Sequence, residues 1–182
     1  MEYSIKSTAI GKLRTACLVL GVFASRKLSA AAEAVDKAAD GHLSKILKRG
    51  DINGEPGQQL MIYDAPGIAA ERILLVGLGK PEELNAKVYR EAIAGCVKLL
   101  NEGHPTEAVL ALADLTIKDI SLYQAVRDTV ISAEEAMLRF DAEKQRLRIY
   151  LTDWEVNRGE GGQMYFPDTN VLITRFLDKD GV

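Results

Sequence analysis

The apolar positions of this chain change period several times, and each change marks an element. Glu2-Tyr3-Ser4-Ile5-Lys6-Ser7 alternates polar and apolar residues, as a half-buried strand does. Thr15 to Phe23 is almost continuously apolar, which predicts a strand covered on both faces. Gln59 to Tyr63 and Arg72 to Leu78 read as two further strands, the second built on Ile73, Leu74, Leu75 and Val76. Ala108 to Leu112 is a short strand, and Arg148 to Trp154 and Asn170 to Leu177 follow near the end.

Between these strands the period becomes helical. Ser29 is placed to cap a helix with Ala32, Val35 and Ala39 on its apolar side. After Asp40-Gly41, Leu43, Ile46 and Leu47 continue the stripe, so two short helices or one interrupted helix fit. Lys45, Lys48 and Arg49 crowd its end, where cations complement the helix dipole, and Gly50 suits the left-handed stop. Val88, Ala92, Cys96, Leu99 and Leu100, widened by Tyr89 and Ile93, form the stripe of a longer helix. A second long helix carries Leu122, Val126, Val130, Ala133, Met137 and Phe140, with Arg127, Asp128, Glu134, Glu135 and Arg139 mostly on its wet side. Strands alternating with helices predict an α/β fold, a mixed sheet flanked by helices. The turn-rich segment Asp51 to Gly57 separates the first helices from the next strand, and Asp178-Lys179-Asp180-Gly181 carries a hairpin-turn signal.

Composition narrows the chemistry. The chain has 182 residues, 47% hydrophobic and 27% charged, which fits one globular core. A net charge of -3 gives no global attraction for phosphate backbones. The two cysteines, Cys17 and Cys96, sit in apolar runs, so a disulfide framework is excluded and a cytoplasmic setting with reduced core thiols is expected. Cys17 has no sequence neighbour that would lower its pKa, and a packed core thiol is expected there. His42 and His104 lie apart without Cys or carboxylate at ligand spacing, so no local metal motif is present. Lys6, Lys12 and Arg14 before the run Ala16 to Ala24 resemble the head of a secretory signal, but nine residues containing a glycine read better as a strand. No stretch is long enough to span a membrane.

The segment DGHLSKILKRGDINGEPGQ, Asp40 to Gln58, followed by ERILLVGLGK, Glu71 to Lys80, resembles the N-terminal domain of the M17 leucyl (cytosol) aminopeptidases. YREAIAG at Tyr89 to Gly95 and SAEEAMLRFDAEK at Ser132 to Lys144 support the likeness, which covers residues 1–146. The resemblance implies a fold similar to macro domains and the role of a non-catalytic accessory and oligomerisation domain. It also implies a larger catalytic domain that binds two divalent metals, zinc or manganese, in a hexameric enzyme releasing N-terminal amino acids from peptides. The Asn-Thr-Asp-Ala-Glu-Gly-Arg stretch of that catalytic half has no counterpart here, Asp168-Thr169-Asn170 being a superficial echo. A truncated chain with no catalytic residue, no metal and no cofactor of its own is therefore expected. Its partners would be the catalytic aminopeptidase domain or the subunits of a homo-oligomer, met through the wet faces of the long helices and the loop Gly50 to Gly57. Residues 147–182 form a short β-rich tail of different character. Gln163 to Val182 is similar to a piece of the N-terminal β-sandwich domain of glucoamylase- and trehalase-like glycoside hydrolases of family 15.

Two candidate sites remain. Gly77-Leu78-Gly79 follows a buried strand, where dinucleotide loops begin, but the third glycine of the fingerprint is replaced by Glu82, so a tight strand-to-helix turn is expected. Macro-type folds can hold ADP-ribose at strand ends, yet no other phosphate-cradling glycine run is present. Arg26, Lys27, Lys45, Lys48 and Arg49 could line a stripe that contacts DNA, and some bacterial members of the resembled family double as DNA-binding regulators. Asp51 and Glu55 interrupt the stripe, so solvated helix ends are the alternative.

Overall fold

The computed structural model describes residues 2–6, 9–103, 105–112, 115–137, 148–152, 163–166 and 171–175. The strands are β1 (Glu2–Lys6), β2 (Leu18–Phe23), β3 (Lys27–Leu28), β4 (Gln59–Tyr63), β5 (Arg72–Gly77), β6 (Glu107–Ala111), β7 (Arg148–Thr152), β8 (Gln163–Phe166) and β9 (Val171–Arg175). The helices are α1 (Ala30–Ala38), α2 (His42–Arg49), α3 (Ala86–Gly103) and α4 (Leu122–Met137). Among the described residues the strands make one sheet in the order β4-β5-β2-β6-β7-β1-β9-β8, with β3 pairing β2. The centre is parallel, β5-β2-β6-β7-β1, while β4 and β8 run antiparallel to their neighbours. The expected mixed sheet flanked by helices is what the chain adopts.

Alternation along the strands divides the core in two. Val19, Leu74, Val76 and Leu110 point to one face and pack with Tyr89, Ile93, Val97 and Leu100 of α3 and Val126, Val130 and Ala133 of α4. Leu18, Leu20, Val22, Ile73, Leu75 and Val109 point to the other and pack with Val35 of α1 and Leu43, Ile46 and Leu47 of α2. Successive strand residues project to opposite faces, so a strand buried on both must be apolar throughout, and β2 is. Removing Leu18, Val19, Leu20 and Val22 from water stabilises the fold by at most about 1.5–3 kcal/mol per side chain.

The helices begin and end where the chain's chemistry requires. The Ser29 side chain accepts the Ala32 amide at 3.3 Å and caps α1. Asp40 and Gly41 both take left-handed backbone angles, φ 51° and 73°, so the helical stretch does break there. Gly41 offers α2 no side-chain cap, and Asp36 supplies one from α1: its carboxylate accepts the Ser44 amide at 2.9 Å and the Ser44 hydroxyl. Gly50 ends α2 at φ 89°.

The long helices differ from expectation in detail. On α3 the buried line runs through Tyr89, Ile93 and Val97, with Val88 and Leu99 only partly buried at its margins. On α4 Asp128 is 7% exposed, whereas the spacing put it on the wet side. The α3–α4 contact accounts for both shifts. The Tyr89 hydroxyl bonds Thr129 Oγ1 at 2.7 Å, and the Arg90 guanidinium stands 3.8 Å from the Asp128 carboxylate. Polar groups buried between two helices are tolerated when they meet each other.

At the far side of the sheet, β7 lies between β6 and β1, parallel to both. A strand that begins two residues after the sequence boundary at 146 is thus inside the sheet, because Arg148–Thr152 offers its backbone to two neighbours at once. β8, read from the sequence only as part of the tail, pairs β9. Phe140, His104, the Asp168-Thr169-Asn170 echo and the turn signal Asp178 to Gly181 lie outside the described residues.

Candidate functional site

In an open α/β sheet the ligand crevice lies beyond the carboxyl ends of the strands, where connections leave in opposite directions. Here one such place is the end of β2 where it meets β5, the chain leaving β2 through α1 and α2 on one face and β5 through α3 on the other. The chain crosses it with residues 51–58. Ile52 anchors the loop in the core at 2% exposure, below the helices α1 and α2. Gly54 then meets the end of β2 so closely that an added Cβ would stand 2.0 Å from the Phe23 carbonyl oxygen. Gly77, at the end of β5, presses against the Glu55 carbonyl oxygen with the same 2.0 Å clearance for a Cβ. Only glycine permits both approaches.

Hydrogen bonds close the seam. Gly77 N donates to Gln58 O at 2.8 Å, Leu78 N to Val22 O at 2.9 Å and Gly79 N to Gly54 O at 2.8 Å. Ala24 N donates to Gly79 O at 2.8 Å and Arg26 N to Asn53 O at 3.2 Å. Gln58 Oε1 accepts the amides of Asn53 at 3.0 Å and Glu55 at 3.2 Å, holding the loop's own turn. A phosphate-binding loop needs backbone amides pointing at an open space. The three amides of Gly77-Leu78-Gly79 point instead at protein carbonyls. The tight turn expected there is present, with Gly79 at φ 73°. The sequence carried a signal of this closure that periodicity does not register: one isolated apolar residue, Ile52, inside a polar glycine-containing loop.

The proposed basic stripe is divided. Arg26, at φ 63° after Ser25 at φ 61°, turns its side chain back on the loop. Its Nε donates to Asn53 Oδ1 at 2.9 Å and its Nη1 to Lys48 O at 3.5 Å. Arg49 pairs with Asp51 at 2.8 Å, and Lys45 Nζ donates to Asp40 O at 3.2 Å. Arg26, Lys27 and Lys48 line one cleft of about 490 Å³, whose walls also carry Lys37, Glu33 and Asp36. Three of the five cations, Arg26, Lys45 and Arg49, are thus engaged with the chain itself, while Lys27 and Lys48 share their cleft with acids and with a further lysine. A second groove, about 530 Å³, runs between α3 and α4, with Arg90, Glu91, Lys98 and Glu135 around Ala94 and Gly95.

Metal and nucleophile chemistry has little to work with here. Among the described residues no three His, Cys, Asp or Glu side chains converge as a metal site would require. Cys17 and Cys96 are both free and buried. Burial pushes the Cys17 thiol up to about 11 against a smaller opposing pull from Arg72, and burial followed by the neighbouring Cys17 raises Cys96 as well. Burial thus works against the thiolate form at both, unlike the exposed, electropositive setting of a reactive cysteine. The described residues offer no clustered ligand set for the two divalent cations that the resemblance implies for the whole enzyme. No helix among the described residues is long and apolar enough to cross a membrane.

Comparison with known proteins agrees with this picture. The profile of the cytosol aminopeptidase family, N-terminal domain, matches residues 19–146. The cytosol aminopeptidase of Vibrio cholerae (strain N16961) is 44% identical over 141 residues, 78% of this chain and 28% of its own length. A probable cytosol aminopeptidase of Shewanella piezotolerans is 42% identical over 146 residues, 80% of this chain and 29% of its own length. The chain therefore spans somewhat over a quarter of the curated relatives it matches. In fold it is similar to the macro domain of ganglioside induced differentiation associated protein 2, with TM-score 0.66 at 11% identity over 84% of this chain and 77% of that one. The Trypanosoma brucei macrodomain in complex with ADP-ribose superposes with TM-score 0.63 at 10% identity, over 82% of this chain and 62% of that one. The bottromycin maturation enzyme BotP aligns with TM-score 0.54 at 20% identity, over 76% of this chain and 27% of its own length. The family profile ends at residue 146, and the likeness to glycoside hydrolases expected for the tail is not shown by these comparisons. The chain belongs to the cytosol aminopeptidase family and carries that family's N-terminal, macro-like domain.

Proposed function

We propose that this domain is a non-catalytic accessory module of a metal-dependent leucyl aminopeptidase, packing against the catalytic domain and helping to set the oligomer. The whole enzyme would release N-terminal amino acids from peptides, using two divalent metals, zinc or manganese, held by residues other than those described. The observation that carries this reading is the sealed carboxyl rim: the place where an α/β sheet offers a ligand site is filled by residues 51–58 of the chain itself. With that crevice closed, the surfaces left for function are those that meet other protein. The loop Gly50 to Gly57, one of the expected partner contacts, is already engaged by the sheet, and the wet faces of α3 and α4 remain. DNA contact through Arg26, Lys27, Lys45, Lys48 and Arg49 draws no support from their arrangement.

The test is a domain exchange. The Vibrio cholerae relative, with its own matched stretch deleted, loses hydrolysis of a leucine chromogenic amide in manganese. Grafting residues 1–146 of this chain in its place restores the activity, while the purified chain alone shows none. Turnover by the chain alone would overturn the reading, as would a deleted relative that loses nothing.

A further inference from the structure

Between α3 and α4 lies a recess that the core does not fill. Each helix follows the carboxyl end of a parallel strand, α3 after β5 and α4 after β6, so both run the same way across one face of the sheet. The Tyr89–Thr129 bond at 2.7 Å and the Arg90–Asp128 pair at 3.8 Å set residue 89 beside residue 129. Past that level the helices border the groove of about 530 Å³, a volume within the range of small-molecule sites. Ala94 and Gly95 of α3 and Ala136 of α4 keep it open, because none of them carries a side chain long enough to close it.

Charge around the groove is matched at one end and unmatched at the other. Arg90 stands against Asp128, and Glu91 lies 4.0 Å from Lys87. Lys98 and Glu135 are both exposed and have no ion pair or hydrogen bond among the described residues. At about 1.5 Å per residue, Lys98 lies roughly 13 Å past Tyr89 and Glu135 roughly 9 Å past Thr129, so the two opposite charges stand at nearly one level on opposite walls. Ser132, one turn before Glu135 on the same face of α4, also lines the groove. It is 4% exposed, and its hydroxyl has no hydrogen-bond partner among the described residues. Buried polar groups in native folds ordinarily have one.

We propose that the α3–α4 groove binds a free α-amino acid with an apolar side chain. Its ammonium donates to the Glu135 carboxylate and to Ser132 Oγ, its carboxylate accepts from Lys98 Nζ, and its side chain lies along Ala94, Gly95 and Ala136. The placement of charge selects this occupant. An α-amino acid carries both charges on one carbon and needs an anion and a cation side by side, as Glu135 and Lys98 are. A ligand of one sign satisfies one wall and is repelled by the other. A dipeptide holds its charged ends apart by a further residue of about 3.5 Å. Exposed ion pairs are individually weak, so the dissociation constant is roughly millimolar. This deepens the proposed function and rests on it for its meaning alone: an apolar amino acid is what the parent enzyme would release, and the groove would let the accessory domain sense that product.

Titration of the 182-residue chain with L-leucine, followed by the backbone amide resonances, tests the site. Saturable shifts are expected at residues 94–98 and 132–136. Leucinamide lacks the carboxylate and 4-methylpentanoate lacks the ammonium, and each is expected to bind about 10-fold more weakly or worse, as is leucyl-glycine. Lys98→Gln and Glu135→Gln each weaken leucine about 10-fold, and since both positions are exposed the rest of the spectrum stays that of the parent. The proposal is overturned by leucine that gives no saturable shift up to its solubility limit. It is overturned equally by an analogue or dipeptide that binds as tightly as leucine, or by a variant whose binding is unchanged. None of these outcomes alters the domain exchange, which reads activity, and a failed exchange leaves the titration as it stands.

Discussion

The carboxyl rim and the β4 edge are two borders of one sheet, and they are finished in opposite ways. At the rim the amides of Gly77, Leu78 and Gly79 all meet protein carbonyls within 2.9 Å, and a side chain at Gly54 or Gly77 would collide with backbone. At the edge Gln59, Met61 and Tyr63 turn their main-chain groups away from β5, the one strand that pairs β4 among the described residues. Unpaired backbone groups are where new partners attach. The contrast teaches that one sheet can be finished by close backbone packing at one border and left with outward main-chain groups at another. A loop of eight residues, 51–58, fills the end of β2 beside β5 as a packed seam.

Glycine substitutions break the comparison most forcefully. Gly54→Ala combines a collision at 2.0 Å with a left-handed backbone at φ 84°, and Gly77→Ala meets Glu55 O at the same distance. Each is expected to lower stability by roughly 3 kcal/mol through overpacking, with backbone strain added at Gly54. Gly57 shares the left-handed backbone, φ 83°, but a Cβ there meets nothing within 4 Å. Gly57→Ala should therefore cost only about 1 kcal/mol. Urea denaturation of the three variants separates close approach from backbone strain, and equal losses would contradict the seam. Gln58→Ala comes next. It removes the acceptor for the Asn53 and Glu55 amides, both near water, so about 1 kcal/mol is expected, measured as a lower urea midpoint at unchanged slope. The smallest effect is at the edge. Tyr63→Thr gives up a ring stacked 5.9 Å from the Arg72 guanidinium but disturbs no buried group, so stability should stay within about 0.5 kcal/mol.

Much of the fold was legible in the sequence, and the reason is physical. β2 and β5 are buried on both faces, so nothing but apolar residues fits them, and the run is visible without knowing its neighbours. Ser29 and Gly50 are local solutions to helix ends and were readable for the same cause. The cap on α2 was not, since Asp36 reaches it from another helix across a left-handed turn. Nor was the burial of Asp128, which depends on Arg90 of α3 being opposite. The position of β7 is set by pairing with β1, over a hundred residues away, as well as with β6, which a local pattern cannot report. The basic stripe shows the same limit from the other side. Arg26, Lys45 and Arg49 look like one charged surface in sequence, yet in the fold each turns to a carbonyl or carboxylate close by. The seam itself was half legible: Gly77 and Gly79 signalled a tight turn, while the loop that fills it betrayed itself only by Ile52.

Hydrogen exchange at the amides of Gly77, Leu78 and Gly79 tests the closed rim most directly. Slow exchange, comparable to β2 and β5 and unchanged when ADP-ribose is added, is the result expected of a seam held by backbone bonds. Fast exchange at these three amides, or resonances that move and saturate with ADP-ribose, would show an open ligand crevice and contradict the account.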